Sequence, residues 1–317
     1  EESVIQALCK VLELDEDLVR KKVTANSIRE KIKSNVPKDT ADRLRDMNLA
    51  GVKIDEDYKR YYPYEDLASK VLGFTGSYNQ GIVGLEVKYD SILAGTPGSI
   101  LTVTDANGFE VENAAEGRIE PVAGDNLYTT IDVNIQKYAQ QSAETVRKSK
   151  QAKRVSIILM NPQNGELLAM VNVPEYNLNE PYQLNEITDS NLSESDALNN
   201  MWRNFCINDT YEPGSVFKIV TATAALEEQV VTQKDTFYCP GYRVVDDRRI
   251  RCAKTTGHGQ ETFKEGIMNS CNPVFIDVGS RVGVDNMYKY YKKLGLLEKT
   301  GVDLPGEASS IMHKKGN

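Results

Sequence analysis

The chain of 317 residues is 40% hydrophobic and 26% charged, with a net charge of −8, the balance of about two soluble domains of ordinary composition. The negative charge argues against the phosphate-neutralising surface of a nucleic-acid binder, and the basic runs at residues 20 to 22 and 292 to 293 read as solvated helix faces. Apolar runs such as residues 155 to 160 are too short to span a bilayer, and five cysteines, an odd number, leave no room for a full disulfide framework.

Residues 1 to 49 carry apolar residues at helical spacing (Val4, Leu8, Val11, Leu12), followed by "SIREKIK" and "ADRLRDM", which predicts small helical lobes. Because that pattern is already running at the first residue, we expect a section of a larger protein with any membrane anchor upstream. Glycines then punctuate short strands, and Asn107-Gly108 predicts a hairpin turn. "GRIEPVAGD" reads as a linker, which places a domain boundary near residue 120 and gives domains 1–120 and 121–317. Past it, a strand over residues 127 to 131 is expected to enter a helix capped by Asp132, with Ile135, Tyr138, Ala139 and Val146 on one face. Two apolar runs around Asn164-Gly165 predict a hairpin buried at the centre of a sheet, and residues 214 to 228 predict a long apolar helix.

Lys218 stands in "YEPGSVFKIV" among Val216, Phe217, Ile219 and Val220, a poor place for a side chain that seeks water. Ser215 lies three residues earlier, so both side chains share one helix face about a turn apart. Lost hydration lowers the lysine pKa, and the neutral amine can take the proton of the serine hydroxyl. The developing charge on Ser215 is favoured at a helix N-terminus. Downstream, Ser270-Cys271-Asn272 offers a second hydroxyl as a proton relay and an amide able to grip a substrate amide through its donor and its acceptor.

Together "YEPGSVFK", "SCN", "RYYPYEDLASKVLGFTG" with "GIVGLEVKYDSILAGTPGS", and "MNPQNGELLAMVNVPEYNLN" resemble a class B penicillin-binding protein of the division and sporulation type. The resemblance covers most of the chain from about residue 60 onward. It implies an α+β transpeptidase fold, an antiparallel five-stranded sheet between helical clusters, on an N-terminal α+β pedestal of the dimerisation type. It also implies a D,D-transpeptidase that cross-links peptidoglycan stem peptides and is inhibited by β-lactams. Such an enzyme works on the outer face of the cytoplasmic membrane beside a glycosyltransferase and division or elongation proteins. Ser215 would be the nucleophile, Lys218 its base, and Ser270 and Asn272 the second motif. A β-lactam sensor and a serine β-lactamase share the acylation chemistry and remain alternatives. The family's third motif, a Lys-Ser/Thr-Gly strand, is expected beyond Asn317, because "KTTG" at 254 to 257 precedes the second motif in a loop-like run.

Four of the five cysteines follow residue 200. Cys239, Cys252, His258 and Cys271 fall within 33 residues, and three thiolates with one imidazole are the donor set of a closed structural zinc site. Asp246 or Asp247 is an alternative to Cys271 as the fourth ligand. Free buried cysteines or one disulfide are the competing readings.

Overall fold

The computed structural model describes residues 1–27, 29–55, 59–101, 103, 117–185 and 192–313, so the expected turn at Asn107-Gly108 lies outside the described residues. Two compact units emerge, one from residues 1–206 with 303–305, the other from 207–302 with 306–317.

The first unit opens on α1 (Glu2–Leu12), α2 (Glu16–Val23) and α3 (Lys38–Asp46), whose Ile5, Leu8, Leu12, Val19 and Leu44 bury a small core. Asp15 caps α2 by accepting from the Asp17 and Leu18 backbone N–H groups. The helix expected over "SIREKIK" is not formed: residues 29–33 are irregular. Lysine side chains tie the segment down instead, with Lys22 Nζ donating to Lys31 O at 2.6 Å and Lys33 Nζ to Leu12 O at the end of α1 at 2.7 Å. Short helices α4 (Ser69–Leu72), α5 (Gly84–Lys88) and α6 (Asp90–Leu93) lead to the pair β1 (Ser99–Leu101) and β2 (Gly117–Ile119).

Asp132 caps α7 (Val133–Lys150) as expected, accepting from the Asn134 and Ile135 N–H groups. The buried face is Gln136, Ala139, Gln140 and Ala143, whereas Tyr138 and Val146 are exposed. α7 lies on the antiparallel hairpin β3 (Val155–Met160) and β4 (Leu167–Val173), where Ala139 and Ala143 meet Ala169, Val171 and Val173. The Asn164-Gly165 turn stands as predicted, with Gly165 at φ 80°. β4 is buried but β3 is largely exposed, so the hairpin is buried on one strand only.

No strand forms over residues 127 to 131. That segment touches β4 through Thr130 Oγ1 to Leu167 O, and the cap residue Asp132 follows with its N–H to Leu168 O. The next rung is taken by a side chain: Gln136 Nε2 donates to Met170 O at 3.0 Å and its Oε1 accepts from Met170 N at 2.8 Å. A buried glutamine thus satisfies the strand edge that a neighbouring strand would use. Among the described residues the strands pair only as two-stranded antiparallel ribbons, so the expected five-stranded sheet is not seen.

A buried polar knot ties α4 to the end of β4. Glu175 Oε2 accepts from Ser69 Oγ at 2.5 Å and Lys70 N at 3.3 Å, and Oε1 accepts from Asn172 N at 2.9 Å. Asn172 Nδ2 donates to Asn204 Oδ1, and Asn204 Nδ2 to Lys70 O. Phe74, Tyr182 and Trp202 pack edge to face nearby, before α8 (Glu194–Trp202) gives way to α9 (Phe205–Asn208).

In the second unit a 3₁₀ turn over Gly214–Phe217 continues into α10 (Lys218–Glu227). The ribbons β5 (Thr236–Cys239) with β8 (Gly259–Thr262), and β6 (Tyr242–Val245) with β7 (Arg248–Arg251), precede α11 (Phe263–Met268) and α12 (Asn272–Lys293), which kinks at Gly283. Thr262 and Glu265 form a reciprocal capping box at α11, and Pro273 occupies the first turn of α12. Ala224 and Ala225 of α10 pack with Val274, Phe275, Val278 and Val282 of α12, Phe237 and Phe263, in one core that also holds Cys239, Cys252 and Cys271. No described helix is long and apolar enough to cross a membrane.

Burial raises the Glu175 pKa from 4.5 to about 7. A raised carboxyl pKa favours the fold fully below about 4.5 and loses that contribution as pH climbs through about 7. Urea denaturation followed at Trp202, the only tryptophan, should therefore show stability falling between pH 5 and 8, and falling less in Glu175→Gln. Identical pH dependence in both would contradict this account of the knot.

Candidate active site

The 3₁₀ turn sets the first two groups. Its three residues per turn eclipse side chains at i and i+3, which puts Ser215 and Lys218 on one line. The expected continuous α-helix over 214 to 228 therefore begins later, at Lys218 itself. Gly214, at φ 56°, makes the entry. Ser215 is exposed, as are Val216 and Ile219, so Lys218 is partly buried rather than enclosed by an apolar helix.

The loop between α11 and α12 brings in the other two. Ser270 takes a left-handed φ of 48°, and its N–H bonds to Ile267 O while Cys271 N bonds to Gly266 O. A non-glycine residue in this region is strained, and the surrounding hydrogen bonds hold it there. Its carbonyl and its hydroxyl both face the lysine: Lys218 Nζ lies 2.6 Å from Ser270 O, 3.0 Å from Ser270 Oγ, 2.6 Å from Asn272 Oδ1 and 3.4 Å from Ser215 Oγ. Asn272 Nδ2 donates to Arg251 O at 2.7 Å, which fixes the amide orientation, since that carbonyl only accepts. Both ends of the Asn272 amide are thus engaged within the protein, not free as the sequence reading expected. Nothing in the sequence marks Arg251, which takes part through its backbone alone.

Burial lowers the Lys218 pKa below 10.5, while neighbouring Cys252 and Cys271 would raise it as thiolates. The arrangement has a chemical consequence. A neutral amine has two N–H donors and one lone pair; Ser270 O and Asn272 Oδ1 can only accept, so they take the two donors. The lone pair is left for a hydroxyl, and only Ser215 and Ser270 offer one within reach. Phe275 closes the back of the site, its ring 5.5 Å from Nζ.

Cys239, Cys252, His258 and Cys271 also converge, with all four ligand atoms within 4.8 Å of one another. Cys252 Sγ is 4.0 Å from Cys271 Sγ and 3.6 Å from His258 Nδ1. A zinc tetrahedron with Zn–S bonds of about 2.3 Å has S···S edges of about 3.8 Å, so the donors fit a tetrahedral ion, and the sulfurs are too far apart for a disulfide. Burial pushes the Cys271 thiol well up; it also pushes Cys252 up, but hydrogen bonds from the Lys254 and Asn272 backbone N–H groups and from Cys239 and Cys271 together bring Cys252 down. Asp246 and Asp247 sit exposed in the β6–β7 turn, outside the group. "KTTG" forms the turn before β8, with Gly257 N bonded to Lys254 O. Cys9 and Cys206 are unpaired thiols.

Two family models match the chain: the penicillin binding protein transpeptidase domain over residues 155–316, and the penicillin-binding protein dimerisation domain over residues 1–129. Stage V sporulation protein D of Bacillus subtilis is 37% identical over 309 residues, 96% of this chain and 46% of the relative. Peptidoglycan D,D-transpeptidase FtsI of Escherichia coli K12 is 28% identical over 317 residues, 98% of this chain and 50% of the relative. The chain thus spans about half the length of these curated relatives. Among solved structures, the penicillin-binding protein PBP2 in complex with MreC from Helicobacter pylori aligns at a TM-score of 0.74 and 28% identity, over 98% of this chain and 61% of that one.

Gly266 sits under the Ser270 loop, where an added Cβ would meet Val274 Cγ1 at 2.7 Å. Gly266→Ala should cost about 1–3 kcal/mol by urea denaturation, the usual range for overpacking. It should also disturb the loop, read as shifted amide resonances of Ser270 to Asn272. Unchanged stability would contradict the tight packing beneath the loop.

Proposed function

The chain belongs to the penicillin-binding protein transpeptidase family, and on that premise we propose that it carries the acylation site of a peptidoglycan D,D-transpeptidase. Ser215 Oγ attacks the carbonyl carbon between the two terminal D-alanines of a stem peptide, and its proton passes to the Lys218 amine. The terminal D-alanine leaves as an amine, taking a proton relayed from Lys218 through Ser270. An amine of a second stem peptide then attacks the acyl-serine ester, loses its proton to the same relay, and completes the cross-link while Ser215 regains its hydroxyl. Asn272 is a positioning residue that holds one Lys218 proton. A β-lactam carbonyl enters the first step in the same way. The observation that carries this reading is the Lys218 hydrogen-bond set, which leaves a lone pair for a hydroxyl and nothing else.

The same proposal takes residues 1–120 as the pedestal and 121–317 as the part bearing the site. It places the protein on the outer face of the cytoplasmic membrane, working with a glycosyltransferase and with division or elongation proteins. The likeness to a PBP2 solved with MreC supports a partner of the second kind. A role in division or sporulation is supported by the relatives' names.

Fluorescent penicillin tests the chemistry. Labelling should be stable and slowly released, absent in Ser215→Ala, and faster as pH rises through a midpoint below the ordinary lysine value of 10.5. Labelling of Ser215→Ala would sink the assignment of the nucleophile, and fast turnover would favour the β-lactamase reading. Cross-linking of stem peptides by the full-length protein separates an enzyme from a β-lactam sensor.

We further infer a structural zinc ion held by Cys239, Cys252, His258 and Cys271, no part of the reaction itself. When bound, it would fix the segment carrying Arg251 and the loop carrying Ser270 and Asn272, since Cys252 and Cys271 adjoin them in the chain. Protein purified without added metal should contain equimolar zinc by elemental analysis, and a chelator should lower its melting temperature. Absence of zinc together with freely titratable thiols at Cys239, Cys252 and Cys271 would sink this reading.

A further inference from the structure

Charge in the second unit is used in two ways. Glu261 is turned inward on β8 and buried, and its Oε2 accepts from Asn269 Nδ2 at 3.0 Å, so its carboxylate serves the loop that carries Ser270. The β6–β7 hairpin turns its charge outward. Residues 242–251 hold four arginines against two aspartates, in a chain whose net charge is −8. Arg243 is accounted for, since it grips both carboxylate oxygens of Asp277 on α12. Arg248, Arg249 and Arg251 are exposed and have no carboxylate partner among the described residues. Like charges placed side by side repel, so such a cluster calls for an explanation.

The strand register sorts these side chains. Tyr242 stands opposite Arg251 and Val244 opposite Arg249, so these four share one face of the hairpin, while Arg243 lies on the other with its bond to α12. Arg249 lies over the Tyr242 ring, its guanidinium carbon 3.7 Å from the centroid, a cation–π contact that holds it in place. Arg251 is held by its main chain: its carbonyl accepts from Asn272 Nδ2, Asn272 Oδ1 is 2.6 Å from Lys218 Nζ, and Lys218 Nζ is 3.4 Å from Ser215 Oγ. Three contacts in series thus join the Arg251 backbone to the nucleophile, a span of about three residues of extended peptide.

We propose that Arg251, with Arg249 beside it, binds a side carboxylate of the stem peptide, on a residue N-terminal to the D-alanine pair, while that peptide acylates Ser215. The inference rests on the transpeptidase reading above and adds the class of substrate to it: an acidic stem, in preference to an amidated one. A guanidinium presents a planar fork of donors that matches both oxygens of a carboxylate. An amidated stem offers one acceptor in their place and no charge. Because the Arg251 backbone is coupled through Asn272 to the acylation site, the anion it takes belongs to the peptide being acylated rather than to a separate ligand.

The test is competition. Full-length protein is labelled with fluorescent penicillin in the presence of a synthetic stem pentapeptide ending in D-alanyl-D-alanine, with its side carboxylates either free or amidated and its C-terminal carboxylate free in both. The readout is the ratio of the two peptide concentrations that halve the labelling rate. It is taken within each variant, so a change in the acylation step itself cancels. Wild type should prefer the free-carboxylate peptide about tenfold or more, the range for a hydrogen bond to a charged group. Arg251→Gln should remove most of that preference, and Arg249→Gln a smaller part. Arg251→Lys, which keeps the charge without the fork, should retain some of it. No preference in the wild type, or an unchanged preference in the double variant Arg249→Gln, Arg251→Gln, would overturn the proposal, while protection by both peptides left the transpeptidase reading standing. Equal protection by an acidic peptide lacking the D-alanine pair would overturn it too, because the hairpin would then attract anions in general. If neither stem peptide slowed labelling, both readings would fall.

Discussion

Everything in the second unit converges on one nitrogen. Lys218 Nζ has two close acceptors that cannot donate, Ser270 O and Asn272 Oδ1, each at 2.6 Å. Those two contacts decide where the lone pair of the neutral amine can point, and hence, in the proposed acylation, where the Ser215 proton can go. Holding them in place requires a strained Ser270 backbone, an asparagine at the start of α12 anchored on the Arg251 carbonyl, and a core of α10 against α12 that keeps the loop seated. Burial supplies the second requirement, because an ammonium that loses hydration gives up its proton more readily.

The thiol cluster belongs to the same construction. Cys252 follows Arg251, whose carbonyl holds Asn272, and Cys271 lies between Ser270 and Asn272. All three cysteines of the cluster are buried in the core that seats α12. Whatever brings the sulfurs together therefore also brings the Asn272 amide to the Arg251 carbonyl. In the first unit the organising device is different in kind: side chains stand in for backbone partners, with Gln136 occupying a rung of β4 and Glu175 gathering the N–H groups of Lys70 and Asn172.

Spacing made the site legible. Serine and lysine three apart, with Ser270 and Asn272 downstream, identified four side chains that the fold does bring within 3.4 Å of Lys218 Nζ or place on it. The turn type was not legible, because an i, i+3 pair faces the same way in a 3₁₀ turn and an α-helix. The cysteine and histidine positions were legible as a donor set but not as a geometry. Glu261 was invisible: between Gln260 and Thr262 it reads as the polar face of a strand, and only the pairing of β8 with β5 turns it inward. The strand expected at residues 127 to 131 failed for a similar reason, since no periodicity reveals that Gln136 will take the hydrogen bonds of Met170. "SIREKIK" has helical periodicity too, but its Lys31 and Ile32 carbonyls are claimed by Lys22 from α2.

The central claim is that partial burial lowers the Lys218 pKa and so makes its amine more readily available to Ser215. Nitrogen NMR of protein labelled at the lysine Nζ measures this directly, with Lys218→Arg used to assign the resonance. The account predicts a titration midpoint below 10.5 that moves up in Asn272→Asp, where a carboxylate would face the ammonium. A midpoint at or above 10.5 in the wild type would contradict it.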